Sequence, residues 1–266
     1  MKKILTFALA AFMMTACSQK KAAMVVEQDE NPTTIVWIED KPGPTMLERK
    51  VFPNVPDSVW ASLGLQDGVL SSVSCFLLQT DGKTILVDAG LGAPISRLSA
   101  KLAEQGVKPD SLRLIYLTHL HPDHIGGMLQ DGQPVFPNAE VYVNRVEAEA
   151  WKAMNNEQSA LAKAMMEAYK DHLHLFEAGD TLQGGVQTIE AYGHTPGHTL
   201  FQKDNILIVG DLIHGADLQL PHPEICPFFD MDPKAATETR IRVLDYAHKN
   251  HLTMYGMHLP SPGYIE

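Results

Sequence analysis

Thr118-His119-Leu120-His121-Pro122-Asp123-His124 gathers three imidazoles and a carboxylate within one short segment. It follows the apolar run Leu112 to Leu117 and precedes Gly126-Gly127. Residues two apart on extended chain point the same way, so His119 and His121 can face one cation together. The chain must then turn, which brings Asp123 and His124 beside them. Imidazole with carboxylate suits zinc or a similar first-row ion better than calcium or magnesium. At this chain's composition such a pattern arises by chance about once in a thousand sequences, against the alternative of a histidine-rich surface loop. All 12 histidines lie beyond residue 118.

The elements that must carry these residues can be read around them. Ser72 to Gln79 reads as a strand, and Asp81-Gly82 as a hairpin turn into Lys83 to Val87. Pro94 to Gln105 has helical spacing, with Ile95, Leu98 and Leu102 on one side and Gly106 as its stop. Leu112 to Leu117 and Ala139 to Val143 are strand-like, and Asn144 to about Tyr169 has helix-forming composition. Gly185 to Ala191, Thr199 to Gln202 and Ile206 to Val209 read as further strands. Pro233 to Lys249 reads as a helix opened by proline, and Leu252 to Met257 as a closing strand. Strands lead and helices intervene, which predicts an α/β layered domain.

The order of motifs resembles the metallo-β-lactamase superfamily. His-x-His-x-Asp-His after a strand is that family's signature. Leu86-Val87-Asp88-Ala89-Gly90 resembles its early Asp-x-Gly element, and Gly193-His194-Thr195-Pro196-Gly197-His198 its third-histidine motif. Gly210-Asp211 resembles its strand-end aspartate, and Met257-His258-Leu259-Pro260 its last histidine. The resemblance implies an αββα sandwich with two divalent metal ions, zinc foremost, in a cleft at the edge of the sheets. It assigns His119, His121 and His194 to one ion, Asp123, His124 and His258 to the other, and Asp211 as the bridge. Hairpin geometry does not choose between His194 and His198. Family members with this doubled pattern use the first, which leaves His198 to hold the loop. Asp88 would accept the free N–H of a ligand histidine, and Thr118 would serve similarly. His214 stands three residues after Asp211, where related lactonases carry a tyrosine that assists the substrate carbonyl. A histidine there is expected to donate to the developing oxyanion or to form pocket wall. His222 is a further candidate for the wall. His172, His174, His248 and His251 read as surface residues.

The N-terminus reads as an export signal. Lys2-Lys3 precede the apolar run Ile4 to Met14, which suits a signal-peptide core. Met14-Thr15-Ala16-Cys17 resembles a bacterial lipobox, with Met14 where leucine is commoner. The expected organisation is a signal with lipobox over 1–17, a tether over 18–45 and a hydrolase domain over 46–266. Within the tether Thr34 to Ile38 fits a first edge strand. The product is then a periplasmic or cell-surface lipoprotein that meets the membrane only through its N-terminal lipid. Cys75 reads as a buried thiol and Cys226 as a loop residue, and their pairing stays open.

Formal charge is -11, and about -13 once Lys2 and Lys3 are removed. A surface of that sign repels polyanions, so nucleic acid is not the expected partner; a small molecule is. Two ions sharing a bridging hydroxide would attack an ester, lactone or phosphotriester, with Asp123 and His214 as the catalytic candidates. The sequence motifs best match the branch of methyl parathion hydrolase-like enzymes and quorum-quenching lactonases. Pro227, Phe228 and Phe229 are expected to form an apolar lid, joined by Trp60 and Trp151 if those fold over the cleft. The rival readings are a metallo-β-lactamase and a catalytically inactive metal-binding lipoprotein. A thioesterase or ribonuclease would need basic recognition surfaces that this composition disfavours.

Overall fold

The computed structural model describes residues 32–266. The expected signal and lipobox, and the tether as far as residue 31, lie outside the described residues. Two six-stranded sheets make the frame. The first runs Thr34–Glu39, Ser74–Thr80, Lys83–Val87, Leu114–Tyr116, Glu140–Asn144, Leu173–Phe176 in spatial order. The second runs Thr181–Leu182, Val186–Glu190, Thr199–Lys203, Ile206–Gly210, Thr253–Gly256, Tyr264–Ile265.

Strand Ser74–Thr80 shows why the sheets stack. Phe76 and Leu78 point into a core shared with Val186, Phe201, Ile206 and Ile208 of the second sheet. Cys75 and Leu77 point the other way, onto Leu98, Leu102, Ala148, Trp151, Ala162 and Met165. Both faces are covered, so the strand reads as one apolar run rather than an alternation. The outer face of the second sheet packs Leu200, Leu207 and Val209 against Val243 and Ala247 of helix Pro233–Asn250. The layers are therefore helix, sheet, sheet, helix, the αββα sandwich expected. Thr80 pairs with Lys83 across Asp81-Gly82, whose φ values of 49° and 69° are the left-handed pair a two-residue hairpin needs.

Several boundaries differ from the sequence reading. Thr34–Glu39 is a true edge strand, paired antiparallel with Ser74–Thr80, so the folded domain begins near residue 34 and not at 46. Asp40 follows it, fully buried, and accepts hydrogen bonds from Leu91 N (2.8 Å) and Leu98 N (3.0 Å). Asp40 thereby fixes the start of helix Leu98–Glu104, four residues later than Pro94. Ile95 consequently lies outside the helix and is exposed rather than on its apolar side. Two short strands, Thr45–Leu47 and Val69–Ser71, pair with each other beside helix Asp57–Ser62, and Val51, Phe52, Trp60, Val69 and Leu218 form a small separate core there. Among the described residues, Cys75 and Cys226 are free thiols, and no helix is long and apolar enough to cross a membrane.

Candidate metal centre

The site lies where loops leave both sheets. Strand Leu114–Tyr116 delivers Thr118 and His119, and Pro122 then opens the single turn Pro122–Ile125 that wheels Asp123 and His124 round. The second sheet contributes His194 from the loop before Thr199–Lys203, Asp211 directly after Ile206–Gly210, and His258 after Thr253–Gly256. All seven residues assigned from the motifs come together, and they fall into two groups. His119, His121, His194 and Asp211 form one; Asp123, His124 and His258 form another.

Within the first group His119 Nε2, His121 Nδ1 and His194 Nε2 are 2.9–3.2 Å apart. Asp211 Oδ2 stands 3.1 Å from His194 Nε2. Two donors held about 2.0–2.1 Å from one ion lie at such separations. Within the second, Asp123 Oδ2 is 3.5 Å from His258 Nε2, and Asp211 Oδ1 is 2.9 Å from His124 Nε2. His124 Nε2 and Asp211 Oδ1 are both buried and neither makes a hydrogen bond. Buried polar atoms left without partners are costly, and a cation between the groups would satisfy both. The donor set thus fits a pair of first-row divalent ions.

The far side of each ring explains which nitrogen is presented. His124 Nδ1–H meets Asp88 Oδ2 at 2.6 Å, and Asp88 also accepts from Thr118 N and Oγ1. His119 Nδ1 is 3.0 Å from Thr118 Oγ1, and His258 Nδ1 is 2.7 Å from the Ser72 carbonyl. His194 Nδ1 is 2.8 Å from Asp230 Oδ1. Each contact fixes one N–H outward and leaves the other nitrogen's lone pair facing the cluster. His198 is placed differently. Its Nδ1 donates to the Ala191 carbonyl (3.1 Å) and its Nε2 accepts from Asp211 N (3.1 Å), so both nitrogens are engaged in holding the loop. A side chain at Gly210 would put its Cβ 2.4 Å from His198 Nε2, and φ there is +50°, which is why glycine precedes Asp211.

Burial and charge pull these groups in opposite directions. Burial pushes His121 and His198 down to about 3, which leaves both neutral. Burial also opposes charge on His194, yet the Asp211 and Asp230 carboxylates raise it to about 9. Burial alone would raise Asp211, but His124 and His258 hold it well below the usual carboxylate range. The carboxylates thus favour a proton on His124, His194 and His258, with which a metal ion at the same nitrogens would compete.

Three buried groups escaped the sequence reading. Glu147 accepts from Leu120 N, Trp151 Nε1, Thr195 Oγ1 and Gly197 N, tying the two histidine loops together. Asp230 links His194 to Arg240, whose guanidinium also donates to the carbonyls of Leu212, Pro223 and Ile225. A signal was present: Arg240 falls on the stripe Ala236, Val243, Ala247, and Glu147 beside Ala148 and Trp151, where a charge requires a buried partner.

Over the cluster opens a cavity of about 320 Å³, walled by Thr45, Leu47, Val73, Phe228 and Phe229, with Gln158 at its edge. No lysine or arginine is among the described residues lining it. Trp60 and Trp151 do not join the lid. Trp60 is 1% exposed in the small separate core, and Trp151 lies buried beneath His121, its ring 5.4 Å away. His222 is not in the wall either; it pairs with Glu224 at 3.2 Å. His214 is at the cavity floor, with Nε2 3.1 Å from Asp211 Oδ2 and Nδ1 buried without a partner. His172 and His174 are half-exposed and share Glu140. A larger groove of about 580 Å³, lined by Lys83, Arg113 and Glu140, holds none of the cluster residues.

Known proteins resemble this chain in sequence and in fold. An N-acyl homoserine lactonase of Bacillus thuringiensis is 28% identical over 207 residues, covering 66% of this chain and 77% of that protein. The exodeoxyribonuclease WalJ of Streptococcus pneumoniae is 32% identical over 136 residues, and the match spans only 46% of that nuclease. Among solved structures, the hydrolase AbOPH in the beta lactamase superfamily superposes with a TM-score of 0.75 at 30% identity, over 87% of this chain and 89% of that one. The dizinc quorum-quenching lactonase AidC shares the fold, with a TM-score of 0.76 at 24% identity over 88% and 90%. The sequence model of one family, described as the Metallo-beta-lactamase superfamily, matches residues 68–258, and the chain belongs to that superfamily.

Proposed function

We propose that this protein is a dinuclear metal-dependent hydrolase of uncharged esters and lactones, with phosphotriesters as a secondary class. The observation that carries the reading is the pairing of two ligand groups around Asp211 with an apolar cavity that, among the described residues, no lysine or arginine lines. His119, His121 and His194 would hold one ion, Asp123, His124 and His258 the other, with Asp211 between them. When bound, zinc or a similar pair of ions supplies Lewis acidity and a water of lowered pKa.

The chain's own residues do the remainder. Leu47, Val73, Phe228 and Phe229 exclude bulk water and receive an acyl or aryl group. Thr45 Oγ1, buried and without a partner, and Gln158 can hydrogen-bond a neutral polar group of the substrate. The Asp123 side chain is 30% exposed and lines the cavity, so its carboxylate can take a proton and pass it to the leaving oxygen.

The same lining weighs against two other chemistries. A β-lactam carries a carboxylate and a nucleic acid a phosphate backbone, and each calls for lysine or arginine at the cavity. The test is a panel of aryl esters, acyl lactones, phosphotriesters, β-lactams and DNA, each with and without chelator. Chelator-sensitive hydrolysis of esters or lactones is expected. Turnover confined to β-lactams or DNA would overturn the reading, and a metal-loaded protein inert to the whole panel would favour a binding lipoprotein.

A further inference from the structure

Three imidazole nitrogens stand at one distance from a single carboxylate oxygen. Nε2 of His194, His258 and His214 each lie 3.1 Å from Asp211 Oδ2. The first two belong to the seven motif-assigned ligands and the third does not. Asp211, His214 and His258 form a further group of three donors whose atoms converge as the other two groups do. Two ligands about 2.0–2.1 Å from one ion, at near-tetrahedral or right angles, are separated by roughly 2.9–3.4 Å. His214 has that spacing.

A plain hydrogen bond from His214 to Asp211 would give the same distance, and the test below separates the two. With the N–H of His258 turned to the Ser72 carbonyl, its Nε2 lone pair faces Asp211 Oδ2, and Oδ1 of the same carboxylate makes no hydrogen bond. A cation collecting lone pairs from His214, His258 and Asp211 satisfies all three. Burial is consistent with it. His214 is 1% exposed, as are the cluster residues His124 (1%), Asp211 (2%) and His194 (3%). The ring is also held in place: His214 N and Gly215 N donate to Gln219 Oε1 at 2.8 and 3.1 Å, the Phe229 ring packs at 4.7 Å, and His258 stacks at 4.9 Å.

We propose that His214 is an eighth metal ligand, sharing with Asp211 and His258 the ion that His258 holds. The inference rests on the two-ion reading of the cluster and adds a residue to it. His119, His124, His194 and His258 each have a fixed acceptor for the outward N–H, whereas His214 Nδ1 has none. His214 would therefore be held at the ion less firmly than those four.

The test uses the metal-free protein reloaded with cobalt(II), whose paramagnetism shifts the exchangeable N–H resonance of each ligating imidazole. Six such resonances are expected, from His119, His121, His124, His194, His214 and His258. Competition with a zinc chelator is run in parallel on wild type, His214→Ala and His214→Phe, the last keeping a ring against Phe229. Loss of a ligand should weaken the second ion by at least about 10-fold, the lower bound for losing even an outer hydrogen-bond partner. The first ion should be unchanged. Five resonances, or affinities equal to wild type in both variants, would overturn the proposal while leaving the two-ion centre intact. A wild-type protein that never takes up a second ion would instead remove the centre on which it rests.

Discussion

Replacing Glu147 with glutamine tests whether one carboxylate sets the spacing of the two histidine loops. Its Oε1 accepts from Leu120 N at 2.9 Å and Trp151 Nε1 at 2.6 Å; its Oε2 accepts from Thr195 Oγ1 and Gly197 N, both at 2.8 Å. An amide keeps the shape but offers one acceptor and one donor. The least damaging orientation turns its nitrogen toward Thr195, whose hydroxyl can rotate to accept, and leaves Gly197 N–H facing another donor. One buried unsatisfied donor costs about 1–3 kcal/mol, and the two surviving bonds lose their charge assistance. Against this, burial raises the Glu147 carboxyl above its usual range, so the neutral amide is the easier group to bury. The balance is a loss of about 2–3 kcal/mol. At about 2–4 °C per kcal/mol for a domain of this size, Glu147→Gln should melt roughly 5–10 °C lower. Leu120 lies between two ligands and Thr195 beside a third, so zinc affinity should also fall about 10–100-fold. The assay is calorimetric melting of chelated and zinc-loaded protein, beside Glu149→Gln on the exposed face of the same helix, expected within about 0.5 kcal/mol of wild type. A Glu147→Gln melt indistinguishable from that control, with zinc affinity unchanged, would refute the reasoning.

Other perturbations separate the remaining roles. His194→Ala should lose metal and nearly all turnover, whereas His198→Ala should keep both ions and lose about 10–100-fold in rate; elemental analysis showing the opposite pattern would exchange their roles. Arg240→Met leaves the buried Asp230 with His194 alone and frees three carbonyls, and urea titration should show a loss of about 3–5 kcal/mol. Cys17→Ser should move the protein from the membrane fraction to a soluble one, checked by fractionation and lipid labelling. Unchanged membrane association would remove the lipobox.

The metal centre was legible because its donors cluster in short segments whose spacing carries the chemistry. His119 to His124 alone fixes four donors, and Asp88, read as an acceptor for a ligand histidine, lies 2.6 Å from His124 Nδ1. The hairpin at Asp81-Gly82 was legible for a similar reason, since two left-handed residues in succession restrict the sequence. What escaped depended on contacts between distant segments. Thr45–Leu47 and Val69–Ser71 are three-residue strands with no measurable period, and each exists only because the other is there. Ile95 continued a helical spacing, but Asp40, more than fifty residues earlier, sets where the helix begins. Trp60 and Trp151 could serve a lid only by folding over the cleft, whereas large apolar rings bury where packing admits them. In this fold that is beneath the site or beside it.

Each sheet is contiguous in sequence, the first drawn from residues 34–176 and the second from 181–265, yet neither half owns a complete ligand set. His119 and His121 wait for His194, as Asp123 and His124 wait for His258. A nascent chain holding only its first half would therefore offer neither proposed ion its full set of donors, however many histidines it displays. Metal capture would then report on docking of the two halves. Because affinity order among first-row ions favours some metals regardless of need, the supply in the compartment where docking finishes would decide which ions such a centre takes up.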